Sequence, residues 1–395
     1  MFYIIVFLIL ALCSYYELKG NRFIKTSFNY LFAFITFISC IRYGQGTDYF
    51  GYMRNYYITP PLNKFLSIFS LDIHGELGFV FINSIFRTFN IKFEIFAGII
   101  ALITMILIYR FIKRYSKLPI MSLTLFYVLY YLVYVLSGIR QGLAIAIFIG
   151  IGIELYREEK YKIFILVILI AATIHSSVLI VLLILPIDKY KVSYKFYGAI
   201  IAAAIFIMIC NIDMTIIKLL PQTLYTKVLM YWDSRNIPLM AFANRLVTFS
   251  IVLFFSSFIK EENEEIKLFK KLYIASFVLY IITIKSVTIS SRISLYFKVF
   301  EIILIPNIIV QLINYKNKVK AMQLWGISIM IVTLLCIKTV NAFIGEGDYL
   351  DHVKITNYPY ISVFNKEKIW DYKSKSKSKF FEETKQILQR EKLNP

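Results

Sequence analysis

Apolar runs of about 17–25 residues, the length that carries a helix across a hydrocarbon core, recur along the whole of this 395-residue chain. They predict spans near 2–18, 27–43, 92–110, 119–137, 139–156, 195–211, 240–259, 268–285, 292–314 and 322–341. Backbone groups in lipid must find partners within their own segment, so such runs read as helices. The fold class is all-α: a polytopic integral membrane helical bundle of about 10–12 membrane segments. It occupies residues 1–372, and a charged C-terminal tail carrying "KSKSKSK" follows at 373–395, with a short polar helix expected over 380–392.

Three stretches break the pattern. Residues 62–89 and 213–235 mix apolar positions with charges, as amphipathic helices lying on the outer face would. The run "IFILVILIAATIHSSVLIVLLILP" from Ile163 to Pro186 has His175, Ser176 and Ser177 at its middle. Basic residues favour the cytoplasmic side of short loops. Lys19, Arg22 and Lys25, and then Arg110, Lys113, Arg114 and Lys117, therefore lie inside, and the 43–91 stretch lies outside. If 163–186 crosses once, Lys260–Lys271 and Lys316–Lys320 fall outside; if it is a re-entrant hairpin, they and Lys189–Lys195 fall inside. Charge favours the hairpin, although it places the basic tail outside.

Composition agrees with the pattern: 59% of residues are hydrophobic and 17% aromatic. The net charge of +20 sits mostly in short loops, so it reads as membrane sidedness rather than a nucleic-acid role, for which no binding motif is visible; it also suits an anionic lipid or a pyrophosphate-bearing substrate. Cys13, Cys40, Cys210 and Cys336 all lie in apolar runs without metal spacing and read as buried free thiols. The first apolar run lacks a basic leader and a small-residue cleavage site, and reads as a retained helix.

Charges at membrane edges are costly and become candidates for function. In "IRYGQGTDYFGYMRNY", Gly44 and Gly46 allow a tight turn that brings Asp48 within reach of Arg42. This reads either as a structural ion pair or as a carboxylate aimed at a sugar hydroxyl beside a cation. Tyr49, Tyr52, Tyr56 and Tyr57 offer ring faces to a sugar or to the membrane interface. Arg140 and Gln141, flanked by Gly138 and Gly142, open a helix, where free N–H groups favour an anion and a guanidinium adds a planar fork. His175 sits at the predicted break, Arg292 opens a late span ahead of Tyr296, and Arg245 lies one turn into another. His74 and Glu76 read equally as an acid/base pair or as part of an amphipathic surface. No nucleotide loop and no metal motif is present in the sequence, so neither a metal nor a cofactor is expected.

Five motifs in series, "RYGQGTDYFGY", "GIRQGLAIAI", "IHSSVLIVLLILP", "SRISLYF" and "YPYISVF", resemble the EpsG family of O-antigen polymerase (Wzy-like) membrane proteins. The resemblance covers nearly the whole chain and implies a GT-C-like, inverting, metal-independent glycosyltransferase of the bacterial inner membrane. Such an enzyme transfers a growing glycan from undecaprenyl pyrophosphate to a lipid-linked oligosaccharide repeat unit. Its implied partners are that lipid-linked substrate, the bilayer, a chain-length regulator and a flippase. Matching positions carry over Arg42, Asp48, Arg140, Gln141, His175, Arg292 and Tyr296. Asp48 is the first candidate base and His175 the second, with Arg140 and Arg292 on the pyrophosphate. The rival readings are a transporter or flippase of lipid-linked oligosaccharide, and a ligase.

Overall fold

A computed structural model describes residues 2–46, 48–71, 75–189, 239–256, 264–313 and 359–369, with isolated positions between 198 and 229 and residue 386. Among them all regular structure is helical, as the periodicity predicts, apart from one bridge between Arg42 and Ser362. The chain divides into two compact units, Met1–Ser176 with Val332–Pro395, and Ser177–Ile331.

The first unit contains α1 (Phe2–Leu18), α2 (Arg22–Cys40), α3 (Tyr49–Ile58), a 3-10 segment (Leu62–Ser70), α4 (Leu77–Thr88), α5 (Phe93–Tyr115), α6 (Pro119–Phe126), α7 (Ile139–Ile147), α8 (Ile153–Arg157) and α9 (Tyr161–Ile174). α6 continues as a π-helix over Tyr127–Val135, and a second π segment, Phe148–Gly152, joins α7 to α8. α5 is central and packs on α2 and α7, while α1 packs on α6. Its Ile100, Ile108 and Phe111 are buried, whereas Leu102, Ile103 and Ile106 are exposed. α9 is built alike, with Phe164, Ile168 and Ala171 buried and Leu166, Leu169 and Ile170 outward. Helices apolar on both the packed and the outward face belong in lipid. Phe93–Tyr115 and the continuous Ile139–Arg157 are long and apolar enough to cross a membrane.

One end of this unit is tied by a carboxylate. Leu118, before α6, has no side-chain oxygen to cap the helix. Glu17, buried at the end of α1, accepts instead from the N–H groups of Ile120 at 3.0 Å and Met121 at 2.9 Å. Those donors would otherwise be unpaired, and the helix dipole favours an anion there.

In the second unit, a 3-10 stretch that begins at Ser176 and runs to Leu183 leads into α10 (Ile184–Lys189), followed by α11 (Leu239–Ser256), α12 (Glu264–Ile282), α13 (Val287–Lys298) and α14 (Glu301–Ile313). α12 packs against α10 and α13, Phe249 stacks on Phe277 at 4.0 Å, and Lys271 pairs with Asp188 at 2.8 Å. Glu301 is buried and neutralised by Lys298 at 2.8 Å.

The structure refines several expectations. The span expected at 292–314 is a pair of helices bent by 44°, Thr288–Lys298 and Glu301–Leu312. The tyrosine-rich stretch after Asp48 forms α3. Within the 62–89 stretch Leu62–Ser70 and Leu77–Thr88 are helical, with Leu66 and Phe69 outward, in keeping with an amphipathic surface. The run 163–186 breaks at His175, whose φ of −153° and ψ of 107° end α9. The expected spans at 195–211 and 322–341, the amphipathic stretch at 213–235, His74, Cys210, Cys336 and the tail lie outside the described residues apart from a few single positions.

Candidate functional site

The loop between α2 and α3 is held from two sides. Tyr43 N–H donates to Ile361 O at 2.9 Å and Val363 N–H to Ile41 O at 2.9 Å, so "PYISVF", residues 359–364, lies as a short antiparallel strap along "IRYGQG". Ile361 and Ile369 are fully buried there. On the other side, Gly46 has φ +96° and sits against the backbone of Leu136 and Ser137, where a β-carbon would collide. Only glycine satisfies both demands. Ser137 Oγ then accepts from Asp48 N–H at 3.3 Å. Three sequence motifs thus meet at the start of α3 and the start of α7.

Arg140, half-buried in the first turn of α7, points to Glu76 at the start of α4. Its Nη1 lies 2.6 Å from Glu76 Oε2. Its Nε approaches Tyr52 OH at 3.5 Å, and the guanidinium lies 5.5 Å from the Tyr52 ring centroid and 5.9 Å from that of Phe79. The other Glu76 oxygen accepts from Ser176 N–H at 3.0 Å and Ser176 Oγ at 3.2 Å, and His175 Nδ1 stands 3.3 Å away. α4 and α9, which supply these groups, pack on each other. Burial alone would raise the Glu76 carboxyl. His175, the Ser176 N–H and Arg140 outweigh it and hold the group down to about 2.

The predicted residues fall into separate places. Arg140 and His175 belong to this cluster; Asp48 is exposed at the start of α3, where its N–H meets Ser137. Gln141 is buried beside Arg140 in α7. Arg42 is elsewhere. It is 2% exposed, donates to Ser39 O at 2.8 Å, and lies among Tyr3, Tyr49 and Tyr131, so the expected pairing of Asp48 with Arg42 is not made. Arg292 and Tyr296 belong to the second unit; Arg292 is exposed, and Tyr296 OH lies 3.1 Å from Ser177 Oγ. Of the four tyrosines read as ring platforms, only Tyr52 borders the cluster. Tyr49, Tyr56 and Tyr57 are buried in an aromatic core, with Tyr56 stacked on Phe96 at 5.0 Å.

Glu76 is the centre of the arrangement, and its sequence context gave equal weight to a surface role. Its one local signal is a carboxylate placed just before a helix and just after a glycine; its partners come from 64 and 100 residues away.

The chain matches no solved structure and none of the curated proteins. A family model described as the EpsG family matches residues 25–362. That span includes the loop, the strap as far as Ser362 and every member of the cluster, and with its membrane-spanning helices this protein belongs to the EpsG family, which is linked to exopolysaccharide biosynthesis.

Proposed function

We propose that this protein is a polysaccharide polymerase of the bacterial cytoplasmic membrane. It transfers a growing glycan from undecaprenyl pyrophosphate to a lipid-linked oligosaccharide repeat unit. The observation that carries the reading is Arg140: a half-buried guanidinium in the first turn of a membrane helix, paired with a Glu76 carboxylate whose other oxygen faces the buried His175.

The chemistry asks for few parts. The acceptor hydroxyl oxygen attacks the anomeric carbon of the donor sugar as the bond from that carbon to the pyrophosphate oxygen breaks. The configuration inverts, and the electron pair leaves with the pyrophosphate. Arg140 neutralises that leaving group by charge-assisted hydrogen bonds. The hydroxyl proton passes to a nearby base, for which Asp48 and His175 are the candidates. Arg292 and Tyr296 are proposed as substrate-binding residues on the family resemblance alone, and Gln141 to support Arg140. Arg42, in this reading, holds the loop that carries Asp48. A chain-length regulator and a flippase are the expected cellular partners.

The test is direct. Purified protein in nanodiscs, given an undecaprenyl-pyrophosphate repeat unit, yields a ladder of products spaced by one repeat. A single transfer to a different acceptor without a ladder identifies a ligase, and translocation without bond formation identifies a transporter.

A further inference from the structure

Four polar groups converge on the Glu76 carboxylate: the Arg140 guanidinium, the Ser176 N–H, the Ser176 hydroxyl and the His175 ring. Such a set around one side chain is more than a helix start needs, since Glu76 makes no side-chain hydrogen bond to the N–H groups of α4, the helix it precedes. It is the donor set of an anion site, occupied by an anion of the chain itself.

We propose that Glu76 is an internal placeholder in a phosphoryl-binding seat, and that the pyrophosphate of a lipid-linked substrate binds by displacing it. The proposal deepens the polymerase reading and rests on it for the lipid carrier.

Three observations support it. First, the same donors suit a phosphoryl group. A guanidinium fork, a backbone N–H and a hydroxyl recognise phosphate oxygens as they do carboxylate oxygens. Second, the seat holds more capacity than a carboxylate uses. His175 is nine-tenths buried, its Nδ1 stands at ion-pair distance from Glu76 without an aligned hydrogen bond, and its Nε2 has no hydrogen-bond partner among the described residues. A buried, unpartnered ring nitrogen is costly, and the two phosphoryl groups of a lipid-linked pyrophosphate carry four non-bridging oxygens against a carboxylate's two. Third, the seat is open at its edge. The side chains of Glu76 and Arg140 keep 23% and 22% of their surface exposed. Gly75, with φ +152°, leaves the approach to Arg140 clear; a β-carbon there would fall 2.9 Å from Nη1. That backbone conformation is open to glycine and strained for other residues. The contacts that hold the Glu76 carboxyl low also keep it ionised, so the seat is filled by a full negative charge until a stronger anion arrives.

The experiment titrates full-length protein in zwitterionic nanodiscs with inorganic pyrophosphate and follows heat of binding. Wild type binds weakly. Glu76→Gln keeps the shape, removes the competing charge and tightens binding about tenfold, the gain of one charge-assisted contact. Arg140→Gln abolishes binding in both backgrounds. Glu76→Asp, which shortens the placeholder by one methylene, gives an intermediate gain and carries the test if Glu76→Gln does not fold. Unchanged or weaker binding by folded Glu76→Gln and Glu76→Asp proteins overturns the proposal. So does loss of the gain when the nanodiscs are made of phosphatidylglycerol, because the seat then takes an ordinary lipid headgroup. Undecaprenyl pyrophosphate should compete with inorganic pyrophosphate, and failure to compete also overturns it. A ladder from wild type without any gain in Glu76→Gln sinks the placeholder and leaves the polymerase. A gain without a ladder keeps the seat and sinks the polymerase.

Discussion

At the scale of single residues, the cluster turns on the difference between a planar fork and a point charge. Arg140 faces Glu76 on one side and the rings of Tyr52 and Phe79 on the other. A lysine ammonium cannot reproduce both contacts. Arg140→Lys should therefore lose at least about tenfold in polymerisation, the equivalent of one charge-assisted bond, while the protein still inserts; gel analysis of polymer length with a membrane blot checks it. The base is separable from the anion site. Asp48→Asn should stop turnover and leave binding of the lipid-linked substrate intact, and wild-type turnover in that variant would move the role to His175. Glu76 predicts a stability profile. Its carboxyl titrates near 4.5 when free and at about 2 in the fold, so the native state is favoured by the ionised form. That contribution, at most about 3 kcal/mol, is present above the free value and is lost as the pH falls through the folded one. The difference in melting temperature between wild type and Glu76→Gln should stay level from neutrality to about 4.5 and shrink toward about 2.

Elements join these residues. The strap pairs with residues 41–43, the loop passes Gly46 under Ser137, and Ser137 meets Asp48 before the chain enters α3. The terminal motif is thus a positioning device for a site to which it contributes no charged group. Ile361 is its buried anchor. Ile361→Ala should destabilise the protein by about 2–4 kcal/mol, and Ile361→Val by about 1 kcal/mol. Melting curves measure both, and activity should fall with the first and survive the second. The π-helical Tyr127–Val135 ends one turn before Gly138, so the unusual winding falls where the chain reverses into α7. α3 shows how tertiary packing overrides a polar pattern: "YFGYMRNYYI" has little helical periodicity, yet Tyr49, Met53 and Tyr56 find a common buried face against the rings of α5.

At the scale of the molecule, sidedness remains a prediction of charge. If 163–186 enters and leaves from the cytoplasm, a cysteine at Lys189 in a cysteine-free background resists an impermeant thiol reagent in whole cells, one at Lys117 does too, and one at Ser70 reacts. Reaction at Lys189 would make the segment a full crossing and invert the sides assigned after it. The membrane-helical class was legible from periodicity alone, because a lipid-exposed backbone leaves a chain few alternatives. The helix at 2–18 follows its apolar run to the residue, the one at 93–115 starts with its run and continues five residues past the expected end, and the break at His175 follows its polar triplet. Arg140, Asp48 and His175 were legible as candidates because charge and imidazole are conspicuous in an apolar chain. Their company was not. Sequence proximity pointed Asp48 toward Arg42, and the fold buried Arg42 under the loop and left Asp48 exposed at the start of α3. Glu76 carries no local mark, since its worth lies in a fork and a serine that α7 and α9 deliver from far along the chain. The hydrophobic pattern is a property of neighbours in sequence and decides which segments become helices; a site is a property of neighbours in space, and here only the packing of α3, α4, α7 and α9 decided it.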